Sequence, residues 1–288
     1  MALSQIPETN YSVITLYETI TLYYTYYTCF LHLLASGGSE IIMAVWNPWR
    51  GCHKHSEGCA NCYIHRANSR KGINTDIIYK TDEFYKPIVK NKKGNYKMKS
   101  GQLVFLCFNS DFLIEEADEW RKEVWEMIRT RHDLYFLFLT KRIERFTVSL
   151  PEDYPKGYEH VTVCCTVENQ LRTDARLAVF TQLPIPHKMI TIQPMLESIH
   201  LSPYLDENIE SVIVGGESGS NVRPLSYDWV LSIREQCIRS NVSFEFRQLG
   251  SVFVRNGKTY KIPRQQLCAQ ARKADINFQR DKGVAYEN

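Results

Sequence analysis

The chain of 288 residues is 44% hydrophobic and 12% aromatic, with a formal net charge of +3. That composition suits a globular protein with a sizeable core, one large α/β domain or two modest ones, and its overall charge does not mark a nucleic-acid binder. Nine cysteines, several of them (Cys107, Cys164, Cys165) inside apolar strand-like runs, exclude a disulfide scaffold and point to a reducing, cytoplasmic compartment.

Residues 1–42 contain Glu8, Glu18 and Glu40 but no Lys or Arg, the first basic residue being Arg50. A secretory signal needs a positive start, and a membrane span would have to place Glu18, His32 and a row of hydroxyls in or near hydrocarbon. The expectation is a start at Met43, with 1–42 a spurious or disordered extension and no membrane contact.

After the apolar segment Ala44–Trp46 comes the most informative loop, with Cys52, Cys59 and Cys62 inside eleven residues. Three thiolates so close in sequence can converge on one inorganic centre. A four-iron cluster held by three cysteines keeps one iron open to another ligand. A structural zinc would need a fourth ligand, for which His53, His55 or His65 is at hand. Tyr63–Arg70 reads as a helix, and Lys80–Gly101 as a Lys-rich, Gly-punctuated surface connection.

A repeating order follows. Apolar runs at Leu103–Phe108, Leu134–Leu139, Val161–Cys165, Lys188–Gln193, Ser211–Gly215 and Ser243–Arg247 predict strands. Between them, helices are predicted from about Glu115 to Arg131, near Arg142–Val148, from about Gln170 to Leu183 and over Ser226–Asn241, the last with Ser226 at its N-cap. Six or seven strands alternating with helices predict a parallel α/β sheet. In Val161–Glu168 the alternation puts Val161, Val163, Cys165 and Val167 under the helices, and Cys164 and Glu168 on the opposite face.

Function in such folds collects at the carboxyl ends of strands, and here nearly every strand ends in polar residues. They are Asn109-Ser110-Asp111, Thr140-Lys141-Arg142, Glu168-Asn169, Gln193, Gly215-Gly216-Glu217 and Gln248. The Lys141-Arg142 pair suits a carboxylate or phosphate, and the glycine pair a close backbone approach to a ligand. From Gly250 onward eight basic residues face Asp275, Asp281 and Glu287, a basic tail able to touch phosphates.

Seven blocks carry a resemblance: Trp-Asn-Pro-x-x-Gly-Cys at 46–52, Gly-Cys-x-x-Cys-Tyr at 58–63, Asn-Ser-Asp at 109–111, Leu-Thr-Lys-Arg at 139–142, Thr-Val-Glu-Asn-Gln at 166–170, Val-Gly-Gly-Glu-Ser-Gly at 214–219 and Gln-x-Gly at 248–250. In that order they resemble the phage-protein family often named after gene products 37 and 68, whose members are radical-S-adenosylmethionine-like proteins of unknown function. Three features depart from the pattern. Gln193-Pro194-Met195-Leu196 stands where the family has Glu-Pro-Leu-Leu, and Arg247 where Lys is common. The six-then-two spacing of the cysteines differs from the three-then-two spacing usual in radical-S-adenosylmethionine enzymes.

The resemblance implies a partial (β/α) TIM-like barrel over residues 43–250, with an iron–sulfur loop after the first strand and 251–288 as a basic C-terminal extension. It implies a [4Fe-4S] cluster on Cys52, Cys59 and Cys62, with S-adenosyl-L-methionine on the open iron. An external electron donor would reduce the cluster, giving a 5′-deoxyadenosyl radical. Glu168 and Asn169 would contact the ribose, Gly215, Gly216 and Glu217 the cofactor, and Asn109, Ser110 and Asp111 would line the pocket. Cys164 would return a hydrogen atom, with Glu168 and Lys141 beside it at the reacting centre. The substrate is left open, with a lean toward nucleic acid or a nucleotide. Two other readings stand beside this one: a zinc-stabilised nucleic-acid-binding protein using the basic tail, and a barrel that has lost its chemistry.

Overall fold

The structure, a computed structural model, describes residues 42–154 and 157–281. The expected extension therefore lies, apart from Ile42, outside the described residues. Seven strands form one parallel sheet: β1 (Met43–Trp46), β2 (Leu103–Leu106), β3 (Tyr135–Thr140), β4 (Val161–Val167), β5 (His187–Ile192), β6 (Ile209–Gly215) and β7 (Ser243–Gln248). They lie side by side in chain order. Among the described residues the edge strands β1 and β7 do not pair with each other. Parallel strands are joined by right-handed crossovers, so a sheet built in chain order carries its connecting helices on one face.

The burial pattern agrees. Val104, Leu106, Phe136, Phe138, Val163, Cys165 and Val167 share one large core with Val124 and Trp125 of α2 (Asp118–Thr130), Leu177 and Phe180 of α3 (Gln170–Phe180), and Val230 and Ile233 of α4 (Tyr227–Arg239). The other face of the sheet carries a smaller cluster, in which Leu103, Phe105, Leu137, Cys164, Met189 and Ile213 meet. Val161, Val163, Cys165 and Val167 thus lie under the helices and Cys164 on the opposite face, as strand alternation requires. The strands are buried on both faces, which is why they read as nearly unbroken apolar runs.

The expected helix near 142–148 is only a 3₁₀ turn, Ile143–Arg145. Thr140, Lys141 and Arg142 all bond the Asp111 carboxylate, which draws the backbone off a helical path before it can start. Ser226 does stand at the head of α4, but its side chain makes no capping bond.

The chain after Gly250 is built into this body. β8 (Val252–Arg255) and β9 (Lys258–Lys261) form a hairpin, and β8 also pairs in parallel with Leu225–Ser226. The short helix α5 (Leu267–Lys273) packs on β7, and Phe278 bridges to Phe244 of β7. No helix among the described residues is long and apolar enough to cross a membrane.

Candidate functional site

A cavity of about 610 Å³ opens at the carboxyl ends of the strands, and Cys52, Cys59 and Cys62 all line it. A second, of about 630 Å³, lies at the opposite end against His187 and Glu210 and contains no cysteine. The thiol-lined cavity is the one with chemistry at hand. Cys62 is the N-cap residue of the helix α1 (Tyr63–Arg70), the positive end of the helix dipole. Burial, and then Asp111, pushes the Cys52 thiol up to about 12, against the pull of Arg142.

The cysteine loop is tied to the ends of several strands. Past β3, Arg142 donates one bond to Asp111 at 3.1 Å and another to the His53 carbonyl at 2.9 Å. From α3, Arg172 grips the Glu57 carboxylate at 2.9 and 3.0 Å, and that doubly bonded partner draws the Glu57 pKa down to about 2. Past β6, Arg223 donates to the Glu57 carbonyl, and Asn61 donates to Glu217 at 2.8 Å. Ser110 donates to the Gly51 carbonyl. A loop with this many tethers presents its thiols on a fixed frame rather than a flexible arm.

Several expected residues are brought to the cavity and several are not. Ser110, Asp111, Lys141, Gly216 and Glu217 line it; Cys164, Glu168, Asn109, Asn169 and Gly215 are not on its wall. Asp111 accepts bonds from Thr140 Oγ1, Lys141 N, Leu113 N and Arg142 Nη1, so it organises the strand ends around itself. Asn169 caps α3 by accepting from the Arg172 N–H. Asn109 gives its backbone N–H to Asn47. Cys164 is fully buried in the smaller cluster.

Glu168 is also fully buried; its Oε2 accepts from Arg176 of α3 at 2.8 Å, while its Oε1 has no partner. It packs beneath the cysteine loop, its Cδ 3.1 Å from where a Cβ on Gly58 would stand. The glycine at 216 serves the backbone rather than a ligand: a Cβ there would stand 2.6 Å from the Leu249 carbonyl. Glu217 accepts from Asn61, from the Arg223 N–H and from the Arg223 guanidinium. Burial opposes its charge, but these donors outweigh it and hold its pKa below the usual carboxylate value.

Other wall residues had no distinct signal. Arg66 looked like one more helix residue, and Arg264, Gln265, Leu267 and Cys268 belong to the stretch read as a basic tail. Only the folded hairpin and α5 bring that stretch back over β7. Of the candidate fourth ligands for zinc, His53 turns both ring nitrogens toward carboxylates, to Asp76 at 3.4 Å and to Glu116. Among the described residues no three His, Cys, Asp or Glu side chains are disposed to hold a single metal ion.

The donor set of the cysteine loop is three thiols on one cavity. A tetrahedral zinc draws its sulfurs to about 2.3 Å from a single point, whereas each cysteine of a cluster meets its own iron. The thiols of Cys52, Cys59 and Cys62, on one cavity, are a donor set of the kind that could hold such a cluster.

No curated protein and no solved structure matches the chain. A model for a family of proteins of unknown function, DUF5131, matches residues 39–280. That span takes in the whole sheet, the cysteine loop, the hairpin and α5, and the chain belongs to this family.

Proposed function

We propose that the chain is an iron–sulfur, S-adenosylmethionine-dependent radical enzyme whose sheet is a partial (β/α) barrel with the cluster loop after β1. The observation that carries this reading is the presence of Cys52, Cys59 and Cys62 on one cavity at the carboxyl ends of a parallel sheet. In this reading Cys52, Cys59 and Cys62 would hold a [4Fe-4S] cluster through their thiolates, and the cavity beside them would take S-adenosylmethionine. With both groups bound and an external electron donor, the site would supply one-electron chemistry able to take a hydrogen atom from a substrate.

The protein's own part is placement and shelter. Arg142, Arg172 and Arg223 fix the loop, so the thiols are preorganised. Glu217, kept ionised by Arg223 and Asn61, offers an acceptor to an amine or a ribose hydroxyl. Phe108 and Leu139 give part of the wall an apolar surface that excludes water. Cys164 lies behind that wall, so Cys268, a half-buried thiol on it, is nearer to any ligand in the cavity.

The test is anaerobic. The full chain is reconstituted with iron and sulfide, and the electron paramagnetic resonance spectrum of the reduced protein is recorded with and without S-adenosylmethionine. A four-iron signal that shifts with the cofactor and is lost in Cys59→Ala is expected. One equivalent of tightly held zinc and no reducible cluster would sink the radical chemistry and favour a zinc-stabilised binding protein.

A further inference from the structure

Between the cysteine loop and β2 the chain raises a basic hairpin that the cavity chemistry does not use. Lys90, Lys92, Lys93, Lys97 and Lys99 fall within ten residues, and no Asp or Glu stands between Glu83 and Asp111. All five lysines are exposed. Lys90 and Tyr96 pair across the hairpin, the Lys97 N–H donates to the Val89 carbonyl at 2.9 Å, and the Asn91 N–H to the Asn95 carbonyl at 2.8 Å. At the tip the Asn91 side chain accepts from the Lys93 and Asn95 N–H groups at 2.9 and 3.2 Å, and Gly94 turns the chain with φ +82°. The base is riveted by the buried Arg131, which donates to the Pro87 and Met98 carbonyls and lies 4.2 Å from the Tyr96 ring. These lysines stand on a built platform rather than a loose tail.

Their charge is not neutralised nearby. Lys92, Lys93, Lys97 and Lys99 make no ion pair among the described residues, and the Lys90 ammonium lies 5.0 Å from the Tyr96 ring. The carboxylates bonded to the flanking segments are already engaged, Glu83 with Lys86, Glu123 with Lys80 and Asp133 with Arg131. Like charges so concentrated repel one another, and an anion laid across them relieves that repulsion.

The make-up of the tip chooses among anionic partners. A lipid surface is held by apolar side chains that enter it beside the charges, and Asn91-Lys92-Lys93-Gly94-Asn95 carries none. Contacts between proteins are depleted of lysine. Phosphates repeated along a nucleic-acid backbone suit lysines, compact point charges that each neutralise one of them. We propose that residues 89–99 form a docking surface for nucleic-acid backbone, which grips phosphates without reading sequence. The Gly101 N–H, just before β2, bonds the Asp133 carbonyl, just before β3, so the surface stands at the amino ends of these strands, away from the thiol-lined cavity. It is an anchor, and since its binding needs no cluster it stands or falls apart from the radical-enzyme reading.

The full chain, without added iron, is titrated against a fluorescein-labelled DNA duplex of about 20 base pairs, and anisotropy is read between about 50 and 200 mM salt. Three or four neutralised phosphates give a slope of log K against log salt of about −3 to −4, unchanged in a duplex of different sequence. Joint Lys92→Gln and Lys93→Gln, whose side chains hold no part of the fold together, is expected to make the slope shallower by about 2 and to weaken binding roughly tenfold at the lowest salt. Joint Lys258→Gln and Lys261→Gln, on the exposed strand β9, is expected to change neither. No duplex binding at the lowest salt overturns the proposal, as does a slope that the tip variant leaves unmoved or that falls in the β9 variant instead. Binding through the tip to phosphatidylserine vesicles, with none to the duplex, likewise overturns it.

Discussion

Glu168 accepts one bond from Arg176 and has a second oxygen bonded to nothing, all at zero exposure. Such a carboxylate is tolerable only while its cation stays. Arg176→Met would leave it buried and uncompensated, at a cost of about 3–5 kcal/mol. Chemical denaturation should register that loss, and Glu168→Gln in the same chain should recover much of it. Alternation along β4 placed Val161 to Val167 on the correct faces, because period-2 geometry holds for as long as the strand does. Glu168 lies one residue beyond the strand, where that rule lapses, and it folds under Gly58 instead of facing the cavity. Asp111 was legible as a strand-end carboxylate. Its role as a hub was not, since its partner Thr140 lies 29 residues away.

At the scale of elements, the cysteine loop is shaped as much by its turns as by its tethers. Gly51, immediately before Cys52, has φ +92°, and a Cβ there would collide with the Ile77 carbonyl. Only glycine adopts that conformation at little cost. Gly51→Ala should therefore lose roughly 2 kcal/mol or more, which chemical denaturation would measure; under the proposed function the reconstituted variant should also retain less iron after gel filtration than the parent. The helix at Tyr63–Arg70 was legible to the residue because nothing competes with its local preference. The expected helix at 142–148 failed because Asp111, distant in sequence, claims the backbone N–H of Lys141 and the side chains on either side of it.

For the molecule as a whole, strand order was legible and closure was not. Alternating strand and helix signals announce a parallel sheet, but nothing local says that residues 264–268 return to wall the cavity. The same far edge carries a pH signature. Glu245 of β7 is 8% exposed, and burial raises its pKa from 4.5 to about 8, with nearby Arg247 pulling the other way and Cys268 also close by. Below pH 4.5 the group is protonated folded or unfolded and contributes nothing. Above that, the unfolded chain releases the proton while the folded one retains it, so stability declines as pH rises toward 8. Between pH 5 and 7.5 the decline amounts to about 3 kcal/mol. Glu245→Gln should raise the melting temperature at pH 7.5 and leave it nearly unchanged at pH 4.5, as thermal denaturation at the two pH values would reveal.

The docking of α5 on β7 also sets an order of events during synthesis. The ribosome delivers the cysteine loop near the start of the sheet and the wall formed by Arg264, Leu267 and Cys268 near its end. Without those last residues one flank of the cavity would lack its wall. Under the proposed function, a cluster installed before they arrive would enter from that flank, whereas one offered to the finished protein would have to come through the cavity's remaining opening.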